Sequence, residues 1–505
     1  MTLQSANTQN LHLAFAKWRQ LLGMEHVLNS DDAACDKGLK TFGENVSVSG
    51  TLLPENTWQV ARICEIASEH AIDLHPVSRG ANWGLGSRAP AVAGSVIIDL
   101  SRLDGITGFD ETQGVVHIGP GVTFRQLYEF ISEKSSDYFL PTIGGPVTAS
   151  VLANALDRGD ATFCHRWESI SDLTVVLADG RVINTGHAAY TNSQLAGCGI
   201  SPYGPIIDGL FSQGNLGIVT GAWLRLEPLP SNISAMVLDI DGMVNLPDVL
   251  DLWRRLQRDG QLPDRSMTMW NGIKMLAREG VRDDYTDQQL KEARLGKWRV
   301  CGYVVGETKE HLQYRHNRIA KQFSKCVDSV RGTILRVDHI WQEGGKDVFA
   351  VPKQVNLKTL YWHKNQIAPS SEMNPDNDNC GAIWLCLVLP FDGQRICDFF
   401  HHADQCLSEA GVDLNIGLEA ASFRAVLMYL TISFDRTDSD EEERALATYR
   451  LLQDDAIAQG YAPYRIANGA PLPGGHSENP VGDYLRQIKS TADPNAVLSR
   501  GRVGI

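Results

Sequence analysis

The sequence predicts a mixed α+β fold divided into more than one domain. Three observations carry this expectation. At 505 residues the chain is too long for a single core. Its first half alternates helical and strand spacing. The stretch Glu227-Pro228-Leu229-Pro230-Ser231, two prolines among polar neighbours, then separates that half from a new set of helix and strand signals.

The elements follow in order. Val60, Ile63, Cys64 and Ala67 fall at i, i+3, i+4 and i+7, one face of a helix. A short apolar stretch ends in His75 and Pro76, and a glycine-dense loop follows. Val96-Ile97-Ile98 reads as a buried strand. Phe124, Leu127, Tyr128 and Ile131 repeat the helical spacing. Leu173 to Leu177 is a strand, Asp179-Gly180 a turn, and Val182-Ile183 the returning strand. Beyond the border, Val249 to Leu256 reads as helix, and Ile383 to Leu389 and Leu427 to Phe434 read as strands. The acidic run from Asp438 to Glu443 reads as a solvated loop and helix start, where the helix dipole favours negative charge.

Composition narrows the function. The chain is 43% hydrophobic and 21% charged, ordinary for a globular protein. Its net charge of −14 opposes binding to a phosphate backbone, so nucleic acid is not expected as a partner. The N-terminus lacks the basic start and apolar core of a secretion signal, and no apolar run is long enough to cross a bilayer. The ten cysteines form no CxxC pair, so neither a metal centre nor a disulfide framework is expected. A cytoplasmic location is the resulting expectation.

Between Pro76 and Ser87 the chain reads PVSRGANWGLGS, with glycines at 80, 84 and 86. Glycine tolerates positive φ and lets backbone approach a ligand closely. Successive backbone N–H groups in such a turn can converge on anionic oxygens. Ser78, Asn82 and Ser87 add hydrogen-bonding groups, and Arg79 is a candidate charge partner. An ordinary glycine-rich turn explains the loop equally well. Its spacing is neither GxGxxG nor a P-loop.

This loop resembles the diphosphate loop of the vanillyl-alcohol oxidase / p-cresol methylhydroxylase flavoproteins. Three further segments resemble that family in the right order. They are Pro141-Thr142-Ile143-Gly144-Gly145 running on through Ser150 and Asn154 to Arg158-Gly159, then Tyr203-Gly204-Pro205 with Asp208 to Thr220, and last Asp493-Pro494-Asn495 with Gly501-Arg502. The pattern is nearest to 4-cresol dehydrogenase-like members. The resemblance implies a two-subdomain domain clasping an extended FAD, over residues 1–230 with 460–505 returning to it. It also implies an α+β cap domain over 231–459 that covers the flavin ring. FAD would be held by Pro76, Val77, Ser78, Arg79, Gly80, Ala81, Asn82, Trp83 and Gly84, and by Pro141, Thr142, Gly144, Gly145, Ser150, Asn154, Arg158 and Gly159. Gly217, Ile218, Val219 and Arg502 complete the set.

The implied activity is hydride removal from a small organic substrate (an alcohol, para-substituted phenol, amine or related metabolite) to flavin N5, with reoxidation by oxygen or another acceptor. Tyr464-Arg465 match the pair that grips a phenolate in this family. A fixed cation beside a phenolic O–H lowers the cost of an oxyanion there. This chain departs from the pattern at several places. Leu85 stands where a second phenolate-binding tyrosine is usual. Thr142 stands where an acid beside the flavin is usual, and threonine cannot serve as a base at neutral pH. The run Ile466 to Gly475 is unlike the family's continuation. His165 is a second-rank candidate for the base that Thr142 leaves vacant. The neighbouring Cys164 reads as core, since adjacent strand residues face opposite ways. Trp270 and Trp384 read as core or as an aromatic wall.

The diphosphate loop contains no histidine and neither does Leu427 to Thr431, so the expected FAD is non-covalent, with a tyrosyl link through Tyr429 as the open alternative. Pro141 occupies a position that resembles oxidases. Leu85 and Thr142 also keep open a same-fold flavoprotein with a non-redox use of FAD, as in ether-lipid synthases, or a silent binding scaffold. A homodimer is left open.

Overall fold

The computed structural model describes residues 3–135, 137–335, 351–364, 366–369, 372–470 and 480–504. The first layer is a four-stranded sheet built from β1 (Val27–Asn29), β2 (Val48–Leu52), β3 (Leu74–Val77) and β4 (Ser95–Asp99), in the order β1-β2-β4-β3. β4 runs parallel to both β2 and β3. α2 (Thr57–His70) crosses over from β2 to β3, which lie on either side of β4. Its N-cap Asn56 accepts from Gln59 N, and Val60, Ile63, Cys64 and Ala67 are buried as their spacing requires. They pack with α1 (Leu3–Leu22) and the sheet into one core.

The second sheet has five antiparallel strands: β5 (Ile106–Asp110), β6 (Val115–Ile118), β7 (Ile170–Val176), β8 (Val182–Asn184) and β9 (Ile218–Arg225), in the order β8-β7-β9-β6-β5. The expected hairpin is β7-β8, whose Gly180 has φ 83°. α3 (Phe124–Lys134) begins with a reciprocal Thr123–Gln126 capping box and buries Phe124, Leu127 and Ile131. The short α4 (Val151–Leu156) packs into the same core.

The third sheet follows the proline border. Its strands are β10 (Asn232–Asp241), β11 (Met267–Asn271), β12 (Lys297–Gly306), β13 (Ser329–Leu335), β14 (Gly381–Pro390), β15 (Asn415–Ser422), β16 (Ala425–Phe434) and β17 (Ala462–Arg465). Their order is β13-β10-β12-β11-β15-β16-β14-β17, and all the pairings are antiparallel. The helices α5 (Leu246–Arg258), α9 (Gly393–Glu409) and α10 (Ser439–Ala458) contribute Trp253, Phe399, Phe400, Tyr449 and Leu452 to the core on one face of this sheet. Between α5 and α9 lie α6 (Gly272–Ala277), α7 (Asp287–Leu295) and α8 (Lys309–Phe323).

Side chains alternate across a strand, so the sheet's other face carries a different set. Directly paired residues share a face. Trp384 is opposite Thr431, which is opposite Asn415. Tyr429 is opposite Gly417, which is opposite Trp270. Glu419 is opposite Thr268, which is opposite Cys301. The apolar residues between them, Leu385, Leu430, Ile416, Leu418 and Met269, lie in the helix-covered core. The face with the polar and aromatic residues looks toward the first two sheets.

The chain's end returns to the first sheet. α11 (Pro480–Ala492) leads to Asp493, whose carboxylate accepts from Val497 N at 3.0 Å and Leu498 N at 2.8 Å. Leu74 N then donates to Val497 O and Ser499 N to Leu74 O, which lays the terminal segment along β3. Lys489 Nζ donates to Asp493, Asn215 O and Leu498 O from a buried position. The acidic run does start a helix, with Asp438 as N-cap of α10. It is not simply solvated, because Glu441 meets His363 at 3.1 Å and Glu442 meets Arg436 at 2.9 Å.

Candidate functional site

The loop after β3 is shaped by its glycines. Gly80 and Gly84 have φ of 69° and 77°, which a side chain would strain. A Cβ on Gly84 would sit 2.0 Å from the Trp384 indole, and one on Gly80 would sit 2.2 Å from Arg88. The loop is also held from outside. Arg88 bridges Asp36 and Asp99. Asp376 accepts from Trp83 Nε1 at 3.0 Å and from Ser87 Oγ at 2.8 Å. Arg79 Nε donates to Gly121 O at 2.8 Å.

Among the cavities at this loop, two share its residues Ala81, Asn82 and Leu85. The smaller, about 150 Å³, is lined by Pro76 to Asn82 together with Ser150, Asn154, Asp157 and Arg502. The larger, about 370 Å³, lies between Thr142 to Pro146, Gly159 and the polar-aromatic face of the third sheet. Ala81, Asn82, Leu85, Ile143, Asn154 and Arg465 line both. Among the described residues, the buried atoms Asn154 Oδ1, Asn356 Oδ1, Trp384 Nε1 and Arg465 Nε have no hydrogen-bond partner. Buried polar atoms are rarely left unpaired, so these point to a polar guest. An elongated cleft with backbone at one end and rings at the other suits a dinucleotide carrying a planar ring.

Tyr464 and Arg465 enter from β17, which pairs with β14 through Cys386 and Arg465. Both line the larger cavity. Arg465 Nη2 donates to Asn82 Oδ1 at 3.2 Å and to Asp157, which also accepts from Arg502 at 3.4 Å. Gln213 Nε2 donates to Tyr464 O at 3.1 Å and fixes the pair from behind. Burial pushes the Tyr464 phenol well above its usual range, so it keeps its proton and can donate.

Two carboxyl groups, Asp160 and Glu419, line the same cavity. Burial raises both; Asp160 raises Glu419 further, whereas the hydrogen bond with Glu419 favours ionised Asp160, and Arg265 lowers both. Arg265 forms an ion pair with Asp160. The two carboxyl groups titrate as a unit, with Glu419 favouring its proton and Arg265 favouring the ionised form of Asp160.

The structure brings most of the expected residues to the cleft and leaves some away from it. Thr142, Gly144, Gly145, Asn154 and Gly159 line the larger cavity. Pro141 stands behind that wall, with its carbonyl bonded to the buried Arg166. Gly217, Ile218 and Val219 line neither cavity; they lie at the start of β9 in the cores. Arg158 has φ 53°, donates to Ser212 Oγ at 3.2 Å and lines neither of these two cavities. Cys164 and His165 pair with Ala161 and Asp160 in a small hairpin. Cys164 is buried, and His165 lines neither cavity. His165 Nδ1 has no partner among the described residues, and burial brings its pKa down to about 4. Trp270 and Trp384 line the larger cavity. The 471–475 part of the divergent segment lies outside the described residues.

Sequence reasoning missed Glu419, Asp160, Asp157 and Lys274. The run from Asn415 to Ala420 alternates polar or small with apolar residues, which marks a polar face of a strand and could have flagged Glu419. Nothing local marks the other three.

The comparisons with known proteins agree with this geometry. A family model described as "FAD binding domain" matches residues 48–186. The 1'-carboxy-chondrochloren decarboxylase of Chondromyces crocatus is 30% identical, over 98% of this chain and 98% of its own. The chain belongs to the p-cresol methylhydroxylase type of FAD flavoproteins. The 4-cresol dehydrogenase flavoprotein subunit of Pseudomonas putida is 27% identical, over 97% of this chain and 95% of its own. A structure of p-cresol methylhydroxylase with substrate bound superposes with a TM-score of 0.86 at 25% identity, covering 98% of this chain and 97% of that one. As a p-cresol methylhydroxylase-type flavoprotein the chain is an FAD-dependent oxidoreductase acting on a small molecule with an electron acceptor. The non-redox alternative is not favoured. No helix among the described residues is long and apolar enough to cross a membrane.

Proposed function

We propose that the chain oxidises a small hydroxyl-bearing aromatic substrate, a para-substituted phenol or a related alcohol, at the carbon beside its ring. Residues 1–230 with 460–505 hold the FAD, and 231–459 supply the sheet face that covers its ring. Bound FAD supplies the hydride acceptor, at N5 of the flavin. The observation that carries the reading is the placement of Tyr464 and Arg465 on one wall of the larger cavity, beside the glycine loop. Tyr464 O–H donates to the substrate oxygen on which negative charge builds, and the Arg465 cation steadies it. Aromatic rings at Trp83, Trp270, Trp384 and Tyr429 sandwich a planar substrate and exclude water. Thr142 cannot take the hydroxyl proton. Glu419 and Asp160, a carboxyl pair at the cavity wall, are the proton acceptor in its place.

FAD is held without a covalent bond. The Tyr429 phenol is buried, bonded to Trp270 and kept protonated by that burial, a poor start for a tyrosyl link. Acid precipitation checks this directly: the yellow colour is expected in the supernatant, and a yellow pellet contradicts it. Anaerobic mixing with para-alkyl phenols and benzylic alcohols tests the activity. Bleaching of the flavin absorbance is expected; FAD that stays bound yet never bleaches with any of them overturns the reading. Reoxidation in air then separates acceptors. Rapid recovery with hydrogen peroxide marks an oxidase, and slow recovery with fast dye reduction marks a dehydrogenase.

A further inference from the structure

The larger cavity holds a cation that the reading above does not use. Lys274 lies on α6 with only 4% of its surface exposed. Its backbone is fixed by Asn271, which caps the helix and accepts from Lys274 N at 3.1 Å. Its Nζ donates to Asn415 Oδ1 at 3.3 Å. The ammonium also lies 5.4 Å from the Trp384 ring centroid and 5.2 Å from that of Tyr429. The indole and the phenol ring are themselves stacked, 6.0 Å apart. Among the described residues no carboxylate forms an ion pair with Lys274. This contrasts with Arg465, which has Asp157, and with Arg265, which has Asp160.

Among the described residues the surrounding charges offer no hidden partner. Arg278, one turn along the same segment, repels it, and the Cys386 thiol on β14 is the acidic group that most favours its charge. Tyr429 on β16 presents a protonated phenol. Glu419 on β15 is engaged with Asp160, Arg265 and Arg166. A charged group taken out of water is costly unless it is paired. Amide oxygen and two ring faces offset part of that cost, and a ligand anion would offset the rest.

We propose that Lys274 is the recognition residue for a substrate carboxylate, so that the substrate of this cavity is an aromatic acid rather than a simple phenol or alcohol. The inference rests on the reading of this cavity as the oxidation site. The hydroxyl end of the substrate meets Tyr464 and Arg465. Its carboxylate meets Lys274 against Trp384 and Tyr429, and only binding, with no covalent step, is asked of the lysine. Free Lys274 is brought down to about 7 by burial and by Arg278. Acid binding therefore takes up a proton above that pH, and affinity falls about tenfold per unit as pH rises further.

The test uses the FAD-loaded enzyme under anaerobic conditions, with binding read from perturbation of the flavin spectrum. The probes are 4-hydroxybenzoate, 4-hydroxyphenylacetate and 3-(4-hydroxyphenyl)propanoate, each against its methyl ester. At least one acid is expected to bind tenfold or more tightly than its ester, and to lose that preference in Lys274→Met while the ester is unaffected. Lys274→Arg, which keeps the charge, is expected to retain part of the preference. FAD content and melting temperature show whether each variant is folded. Should Lys274→Met not fold, the wild-type preference, its Lys274→Arg counterpart and the decline above pH 7 carry the decision. The absence of an acid preference across the panel overturns the proposal, as does a Lys274→Met enzyme that loses turnover but keeps the preference. Binding with acid preference but no bleaching leaves the lysine's role standing and sinks the oxidation reading instead.

Discussion

Tyr464 and Arg465 differ in what anchors them, and that sets what their replacement should do. Tyr464 lines the cavity with its side chain hydrogen-bonded to the Cys386 thiol, while its backbone is held by Gln213. Tyr464→Phe is therefore expected to lower kcat/KM by about 10²-fold, the effect of removing one donor at a developing oxyanion, with FAD retained. Arg465→Ala should cost turnover too, and Arg502 still holds Asp157 in that variant. Release of FAD from both variants, measured by the ratio of flavin to protein absorbance, would instead place the pair in the flavin site. Lys274 makes a separate prediction in the ligand-free protein. Its folded pKa of about 7 lies below the ordinary lysine value of 10.5. Between those two pH values the unfolded chain binds the extra proton, so stability rises with pH across that window. Lys274→Met should flatten the rise relative to wild type in denaturant titrations at pH 7 to 10; an unchanged slope contradicts a buried, unpaired ammonium.

At the scale of elements, the loop between β3 and β4 acts as a hinge-free cradle. Its own turns need Gly80 and Gly84 at positive φ, and its outer side is tied to Asp376. Gly84→Ala meets both a strained backbone and the Trp384 indole. A loss of about 1–3 kcal/mol is expected from the backbone alone, together with weaker FAD binding. Asp376→Ala strips Trp83 and Ser87 of their shared acceptor, which should loosen the loop by about 1–3 kcal/mol. Thermal melts with and without added FAD check both, and a melting temperature within error of wild type for either variant refutes the corresponding tie.

For the whole molecule, three segments far apart in sequence close the cleft. The C-terminal segment adds beside β3 through Leu74 and brings Arg502 to Asp157. β17 carries Arg465 to Asn82, and Arg265 reaches Asp160 from just before β11. Deleting 493–505 removes the pairing along β3, the Arg502 contact and the buried partner of Lys489. The expected product is an FAD-poor protein with a lower melting temperature. A truncated chain that purifies yellow and melts like the full chain would show that the terminal segment is dispensable.

The local spacing of apolar residues determined much of the fold. The helix carrying Val60 to Ala67 stands where period 3.6 put it, because one face must be buried, the hairpin turns at Gly180, and the apolar runs Ile383 to Leu389 and Leu427 to Phe434 are strands buried on both faces. The family, and with it FAD, was legible as well, since the glycine loop and the later segments recur in order along the chain. The composition of the cleft was not. Asp160 and Glu419 are 259 positions apart by their numbers, and no local pattern says that they share a wall. Lys274 reads in sequence as one more helical lysine. Only the register of β11, β15, β16 and β14 turns Trp270, Glu419, Tyr429 and Trp384 to one face, and only the packing of that face against the first two sheets buries Lys274 among them. The glycine loop was decided by its own residues; what it can hold beside a flavin was decided by the sheet folded over it.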